Sequence, residues 1–396
     1  MPSSRQQLLP FGALSASYFA HIGFFNPYLP LWLKELGYGL LTISLLTAVQ
    51  SATRLFAPYV WGWLSDHTGE RVRLLRLSAS VALLTSVLLW WPVSPLWLGV
   101  VLFIMFTHTS SMMPMAEAAM AHLVSRDGHF DARLYGRVRL CGSVGFLITV
   151  FVAGTSLEML GMQMFPFFTV LSLALVLACV WVLPDQRKDT PAHAAHSPRT
   201  SVVDVLRQSV VRWFFASVFF HVLSHIGVYL FLSLYLDALG YSKTMIGLLW
   251  AVSVVAEIVW FYFQARWLPL LTLLQWLVAC AALMTVRTTM VAAWGAWLPV
   301  LMAAQLLHAL TFAAHHTVCI AFITQYFPGR LGGRGQALYT VVAYGFPGVL
   351  GALLGGLVSE HFGLSSVYWA SALASLLALA GAWHLKRLAP VAARAP

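Results

Sequence analysis

Apolar runs of about 20 residues, the length a helix needs to cross a bilayer, recur from Phe11 to Leu385. Roughly twelve can be counted, and the polar stretch Pro184–Arg212 divides them six and six. Lipid offers no water to backbone N–H and C=O groups, so a spanning chain must form helices or a closed barrel, and runs this long are helices. Only 9% of the residues are charged and 60% are hydrophobic, whereas a soluble domain carries about 25% charged residues. The expected fold class is an all-α membrane protein of twelve transmembrane helices in two six-helix bundles. Residues 1–185 would form the N-terminal bundle, 186–210 a cytoplasmic linker and 211–396 the C-terminal bundle.

The two bundles read as copies. Leu239–Glu257, LGYSKTMIGLLWAVSVVAE, aligns with Leu36–Arg54, LGYGLLTISLLTAVQSATR, at an offset of 203 residues. His21-Ile22-Gly23 recurs as His225-Ile226-Gly227, one residue out of step. One column changes sign: Arg54 stands where Glu257 stands in the second copy. Opposite charges in matched apolar helices place the expected site between the halves.

The formal charge of +10 does not read as a nucleic-acid surface, because of where the cations fall. With the N-terminus inside, all but five of the 23 Lys and Arg lie in loops or helix ends on the cytoplasmic side. Lys34 and Lys243 fall outside, and Arg54, Arg139 and Arg287 lie within spans. That asymmetry fixes the orientation of a multi-pass membrane protein, with both termini cytoplasmic. Cys141, Cys179, Cys280 and Cys319 sit in apolar segments, with neither a disulfide framework nor a CxxC metal site, and no cofactor is expected. One Arg and then apolar sequence to Leu33 is too long for a signal-peptide core, so an uncleaved first span is expected.

Span 1, about Phe11–Leu33, contains Pro27 and Pro30, which should break its outer half. Span 2 covers about Thr42–Trp63, spans 3 and 4 about Val72–Trp91 and Leu96–Ala121; span 5 runs to about Leu157 and span 6 to Leu183. Spans 7 to 12 follow at about 213–236, 245–263, 268–288, 296–322, 336–358 and 365–385. Gln186–Ser209 reads as a flexible linker with no core of its own. Gly348, Gly351 and Gly355 in span 11 form a small-residue face for close helix packing.

An ionisable residue at mid-membrane costs about 2.5–3.5 kcal/mol on insertion scales, so each one is a candidate functional residue. The deep ones are Arg54 in span 2, Glu117 in span 4, Arg139 near the inner end of span 5, Glu257 in span 8 and Arg287 in span 9. Two acids against three bases leave a cation over, which an anionic ligand would meet. Helical spacing puts Gln50 one turn from Arg54 and Ser253 one turn from Glu257. His308, Thr311 and His315 share one face of span 10, and His221, His225 and Tyr229 one face of span 7. Span 1 offers Tyr18, His21, Phe25 and Tyr28, which suit a flat apolar ligand. Lone membrane histidines usually pack; His308 stands out because it shares its half with Glu257 and Arg287. His308 and His315-His316 lack the spacing and the further boxes of a di-iron oxygenase. No nucleophile or metal set converges, so an enzyme is not expected, and the linker is too short to be a sensor's soluble domain.

Two motifs carry a resemblance. Gly62-Trp-Leu-Ser-Asp66-His-Thr-Gly69-Glu-Arg71-Val-Arg73 resembles the Gly-x3-Asp-x2-Gly-x-Arg loop between spans 2 and 3 of the major facilitator superfamily. There Gly62 would permit close helix approach, and Asp66, with Gly69 and Arg71, would form a conformational gating loop. Tyr135-Gly-Arg-Val-Arg-Leu-Cys-Gly-Ser-Val-Gly-Phe146 is similar to the start of span 5 shared by lactose permease and the 3-phenylpropionate permease branch. The resemblance matches Glu117 and Arg139 to the acid and arginine that hold the sugar in lactose permease. It matches Glu257, Arg287 and His308 to that family's proton-coupling cluster. Where the cluster has a proton-carrying glutamate one turn after the histidine, this chain has Thr311. Arg54 is likewise foreign to the lactose permease pattern, and the phenylpropionate branch resembles this chain at both places.

The resemblance therefore implies proton-coupled uptake of a small aromatic carboxylate by a monomer in the bilayer. Arg54, Gln50, Glu117, Arg139, Tyr18, Phe25 and Tyr28 would face the substrate. The alternatives are a proton symporter of a sugar or nucleoside, which would need more Asn, Gln and Asp facing the cavity, and a drug or metabolite efflux transporter.

Overall fold

The computed structural model describes residues 4–120, 125–126, 129–130, 132–184, 202–328 and 331–388. Among them, 12 helices are long and apolar enough to cross a membrane. Spans 1 to 6 are Leu8–Glu35, Leu40–Ser65, Arg71–Trp90, Pro95–Glu117, Val138–Leu160 and Met162–Trp181. Spans 7 to 12 are Ser209–Ala238, Lys243–Leu270, Leu273–Trp294, Leu298–Tyr326, Arg334–Phe362 and Leu364–Leu388. Large apolar side chains such as Leu9, Trp63, Leu84, Leu96 and Tyr262 lie more than half exposed, as a surface bathed by lipid tails requires.

The interruptions fall elsewhere than expected. Span 1 runs as one helix, Ser4–Glu35, straight through Pro27 and Pro30. Proline's fixed φ suits a helix, and spans 5 and 6 pack along this one, the setting in which membrane helices tolerate a missing N–H. Span 4 is interrupted at residues 110–111, between Pro95–Thr109 and Met112–Met120, and span 2 breaks into helices Leu40–Thr53 and Ala57–Thr68. Pro58, in the first turn of the second helix, has no N–H for the carbonyl of Arg54. The chain closes the gap with short turns, Leu55 N–H to Ala52 O and Phe56 N–H to Thr53 O. Two further irregularities are π-helical segments, Ala309–Ala314 in span 10 and Val341–Gly345 in span 11.

Part of the expected linker is ordered. Val202–Arg207 is helical and Val205 is buried against the core formed with Phe214, Phe322 and Phe327, so this part of the linker does have a core. Most of the remainder lies outside the described residues. In the loop before span 5, Ser125–Arg126 pairs antiparallel with His129–Phe130, and the helix starts at Ala132.

The contacts divide the chain into two compact units. The first comprises Met1–Tyr38, Ala52–Ala194 and Ser242–Leu248. Within it, span 1 packs on spans 5 and 6, and span 3 on spans 4 and 6. Its core is aromatic: Trp32 stacks on Phe165 at 5.0 Å, and Phe25 meets Phe106 edge-on at 5.7 Å. Glu158 Oε2 accepts from the N–H of Thr244 at 2.9 Å. The second unit comprises Gly39–Ser51, Ala195–Tyr241 and Leu249–Pro396. In it span 12 packs on spans 7 and 9, and span 11 on span 7. Glu360 Oε2 accepts from the N–H of Leu41 at 3.2 Å. Leu41 and Thr244 are a matched pair of the 203-residue repeat, so each unit repeats a carboxylate at a helix N-terminus.

The glycine face of span 11 is a close-packing face, as its spacing predicts. A Cβ at Gly351 would lie 2.9 Å from Ile226, and one at Gly355 would lie 2.6 Å from the Phe231 ring. Gly62 is different: among the described residues nothing lies within 4 Å of where its Cβ would be, so none of them makes a close helix approach there. Gly351→Val should therefore lower the melting temperature of the detergent-solubilised protein, since overpacking costs about 1–3 kcal/mol. Gly62→Ala should leave it unchanged or raise it, because alanine favours a helix by about 0.5–1 kcal/mol. Scanning fluorimetry of both variants checks the contrast.

Candidate functional site

The costliest residue of the second unit is Arg287, in the middle of span 9 and 1% exposed. A capping box of Thr272 and Gln275 starts this helix and sets its register. Arg287 Nη1 donates to His308 Nδ1 at 3.1 Å and to Thr311 Oγ1 at 3.1 Å, and it reaches His225 Nε2 at 3.4 Å. Its Nη2 donates to Gln305 Oε1 at 3.2 Å. All four partners are neutral acceptors, which bond the two terminal nitrogens without cancelling the charge, while the buried Nε has no partner among the described residues.

His308 links this cation to the acid. Its other ring nitrogen, Nε2, lies 3.9 Å from Glu257 Oε2. Guanidinium nitrogens only donate, so the lone pair of a neutral His308 is on Nδ1 and its hydrogen is on Nε2, facing the carboxylate. The three residues singled out for coupling are thus brought together in the order Arg287, His308, Glu257. The His308 ring stacks on Phe312 at 5.1 Å, and the π-helical segment that follows His308 carries Thr311 onto Arg287. Such segments recur at functional sites because they re-aim side chains that a regular helix would turn away.

The first unit holds the other cations. Arg54 sits in the interruption of span 2, half-buried, and Tyr18 lies within the field of both Arg54 and Arg139. Arg139 is exposed and carries its guanidinium 4.5 Å over the Phe19 ring, a cation–π contact. Glu117 is half-buried at the end of span 4. Gln50 is half-buried in Leu40–Thr53, a helix that falls largely in the second unit.

Phe25 and Tyr28 do not form a wall for a ligand. Both are 0% exposed, and Tyr28 donates its hydroxyl to Val150 O at 2.8 Å. Their helix face was read correctly, but that face meets the packed aromatic core. His21, 2.9 Å from Ser172 Oγ, is a packing residue as expected. In the loop after span 2, Gly69 adopts φ +73° and ends the helix with its N–H on Ser65 O, a conformation that favours glycine. Arg71 opens span 3, and the side chain of Asp66 lies outside the described residues.

Sequence reasoning missed Gln305 altogether and left Thr311 and His225 without a role beside Arg287. The signal was present for two of them: Gln305, His308 and Thr311 are spaced three apart along span 10.

The profile of the MFS_1 like family matches residues 16–370. The chain is 28% identical over 368 residues, 92% of its length and 94% of the relative's, to a probable 3-phenylpropionic acid transporter of Escherichia coli (strain K12). It is 21% identical over 347 residues to the uncharacterized transporter YwbF of Bacillus subtilis (strain 168), covering 86% of this chain and 82% of that one. Among solved structures, a mutant of the nucleoside transporter NupG superposes with a TM-score of 0.81 at 14% identity, over 97% of this chain and 100% of that one. An inward-facing, unoccupied bacterial homolog of the human lysosomal transporter Spinster gives 0.78 at 14% identity, over 100% and 99%. At such identities these structures speak for the fold alone. Matched by the family profile over most of its length and built of twelve spans on the transporter fold, the chain belongs to the MFS_1-like family and is a small-molecule secondary transporter.

Proposed function

We propose that this transporter takes up a small aromatic carboxylate, of the 3-phenylpropionate class, together with a proton. It would act as a monomer in the bacterial inner membrane, with both termini in the cytoplasm. Its working bundles would be residues 1–185 and 211–396, joined by a cytoplasmic linker. The observation that carries the coupled reading is the chain Arg287, His308, Glu257 in the second unit. It sets a carboxylate that can take up and release a proton beside an imidazole already ordered by a buried cation. Thr311 stands where lactose permease has its carrier glutamate, and its hydroxyl accepts from Arg287 and donates to Leu307 O, which leaves Glu257 as the acid of the chain. The substrate class is supported by the name of the relative at 28% identity and by the surplus of membrane arginines over membrane acids.

Purified protein in vesicles acidified outside should concentrate labelled 3-phenylpropionate, and a protonophore should abolish the accumulation. Lactose and uridine should stay at the outside concentration. Accumulation of the sugar or the nucleoside without the acid would overturn the proposal.

A further inference from the structure

Span 7 and both π-helical segments, Ala309–Ala314 and Val341–Gly345, meet at one small pocket of the second unit. Its floor is buried and mostly polar: His221, Val222 and His225 from span 7, Thr311 and His315 from span 10. Its rim is half-buried and made of rings: Tyr229 of span 7, Phe312 and His316 of span 10, and Tyr344 of span 11. The Tyr229 and Phe312 rings meet edge-on, with centroids 6.3 Å apart. The pocket has room for about one water molecule. That is space for one oxygen atom and too little for a ring.

Most of the polar wall is already engaged. Thr311 Oγ1 accepts from Arg287 Nη1 and donates to Leu307 O, each at 3.1 Å. His225 Nε2 faces Arg287 Nη1 at 3.4 Å, and His316 Nδ1 lies 3.2 Å from Tyr344 Oη. The His315 ring lies flat on His221, with centroids 3.6 Å apart, and both its nitrogens are 3.7 Å from Cys319 Sγ. His221 is the exception. Its Nε2 is 2.7 Å from the carbonyl oxygen of Thr311, so that nitrogen donates and the neutral ring keeps its lone pair on Nδ1. His221 is 1% exposed, and its Nδ1 has no partner among the described residues. A buried acceptor without a donor is costly, so the pocket calls for an occupant.

The occupant has to bring a donor without a positive charge. An ammonium would be repelled by the guanidinium of Arg287, which reaches His225 and Thr311 on the floor. A carboxylate oxygen only accepts, so it would set one lone pair against another. A methyl group would leave Nδ1 unpaired. A hydroxyl group meets the need, and the rings of the rim suit an aromatic ring that carries it. We propose that this pocket is a subsite for a ring hydroxyl, and that the preferred substrate is a hydroxylated aryl carboxylate whose phenol donates to His221 Nδ1. The ring stays at the rim, against Tyr229, Phe312 and Tyr344, and only its oxygen enters. The proposal rests on the aromatic-carboxylate reading and deepens it, from the acid end of the substrate to the ring.

The test measures exchange of labelled 3-phenylpropionate in vesicles, in competition with its meta- and para-hydroxylated forms. The matching ring-methyl acids are the controls, similar in size and without a donor. The better hydroxylated acid should compete at least about tenfold more strongly than its methyl counterpart, and His221→Phe should bring that ratio to about one. No exchange of 3-phenylpropionate by the wild type overturns the aromatic-carboxylate reading and the subsite with it. Exchange with no advantage for either hydroxyl overturns the subsite alone and leaves the pocket to water. A preference that survives in His221→Phe puts the hydroxyl elsewhere and overturns the assignment. Should His221→Phe fail to reconstitute, Val222→Ile narrows the same floor by one carbon and carries the same expectation and the same refutation.

Discussion

Glu257→Gln should exchange labelled for unlabelled 3-phenylpropionate at close to the normal rate, yet never raise the inside concentration above the outside one. The amide keeps the shape and polarity of the protonated acid, and it can still sit against His308 Nε2, which lies 3.9 Å from Glu257 Oε2. It cannot release a proton. A transporter locked in its protonated form can carry substrate in and carry substrate out, which is exchange, but it cannot return empty with its proton discharged. Downhill proton flow then does no work on the substrate. The exchange rate of the variant should also lose any dependence on pH that comes from this group. Two vesicle measurements settle the matter: exchange at equal pH, and accumulation with the outside acidified. If Glu257→Gln still concentrates the acid with pH as the only driving force, the proton travels on another group, and His308 is the next to test.

The twelve-span architecture was legible because bilayer thickness dictates the length of apolar runs, and this chain spells them out between Phe11 and Leu385. That the three residues proposed for coupling lie together was legible for an energetic reason. Glu257, Arg287 and His308 are costly in apolar helices, and costly residues must find one another. The interruptions were harder to read. Pro27 and Pro30 look like breaks, but whether a proline breaks a membrane helix depends on what packs around it, and that is tertiary information. Pro58 did carry the signal for the break at Arg54, since a proline fits best in the first turn of a new helix. The π-helical segments escaped because a count at 3.6 residues per turn assumes the register they change. Phe25 and Tyr28 show a further limit: spacing groups residues on a face without saying whether that face meets a ligand or another helix.

Arg54→Gln should weaken binding of 3-phenylpropionate ten- to hundredfold and barely alter binding of its uncharged amide. A hydrogen bond to a charged group contributes about 1.5–3 kcal/mol, and the amide never draws on the charge. Arg54 and Arg287 differ in how open they are to a carboxylate. Arg287 is 1% exposed and already donates to His308, Thr311 and Gln305, so a ligand would have to displace bonds to reach it. Arg54 is half-buried at the break in span 2, where the chain has left the helix and Tyr18 stands near. A planar, two-pronged guanidinium there fits a carboxylate better than an ammonium does, so Arg54→Lys should recover only part of the loss. Competition of both ligands against labelled acid, on wild type and both variants, gives the comparison. Equal losses for acid and amide would make Arg54 a structural residue, and the carboxylate would then have to be met by Arg139 or by a rearranged Arg287.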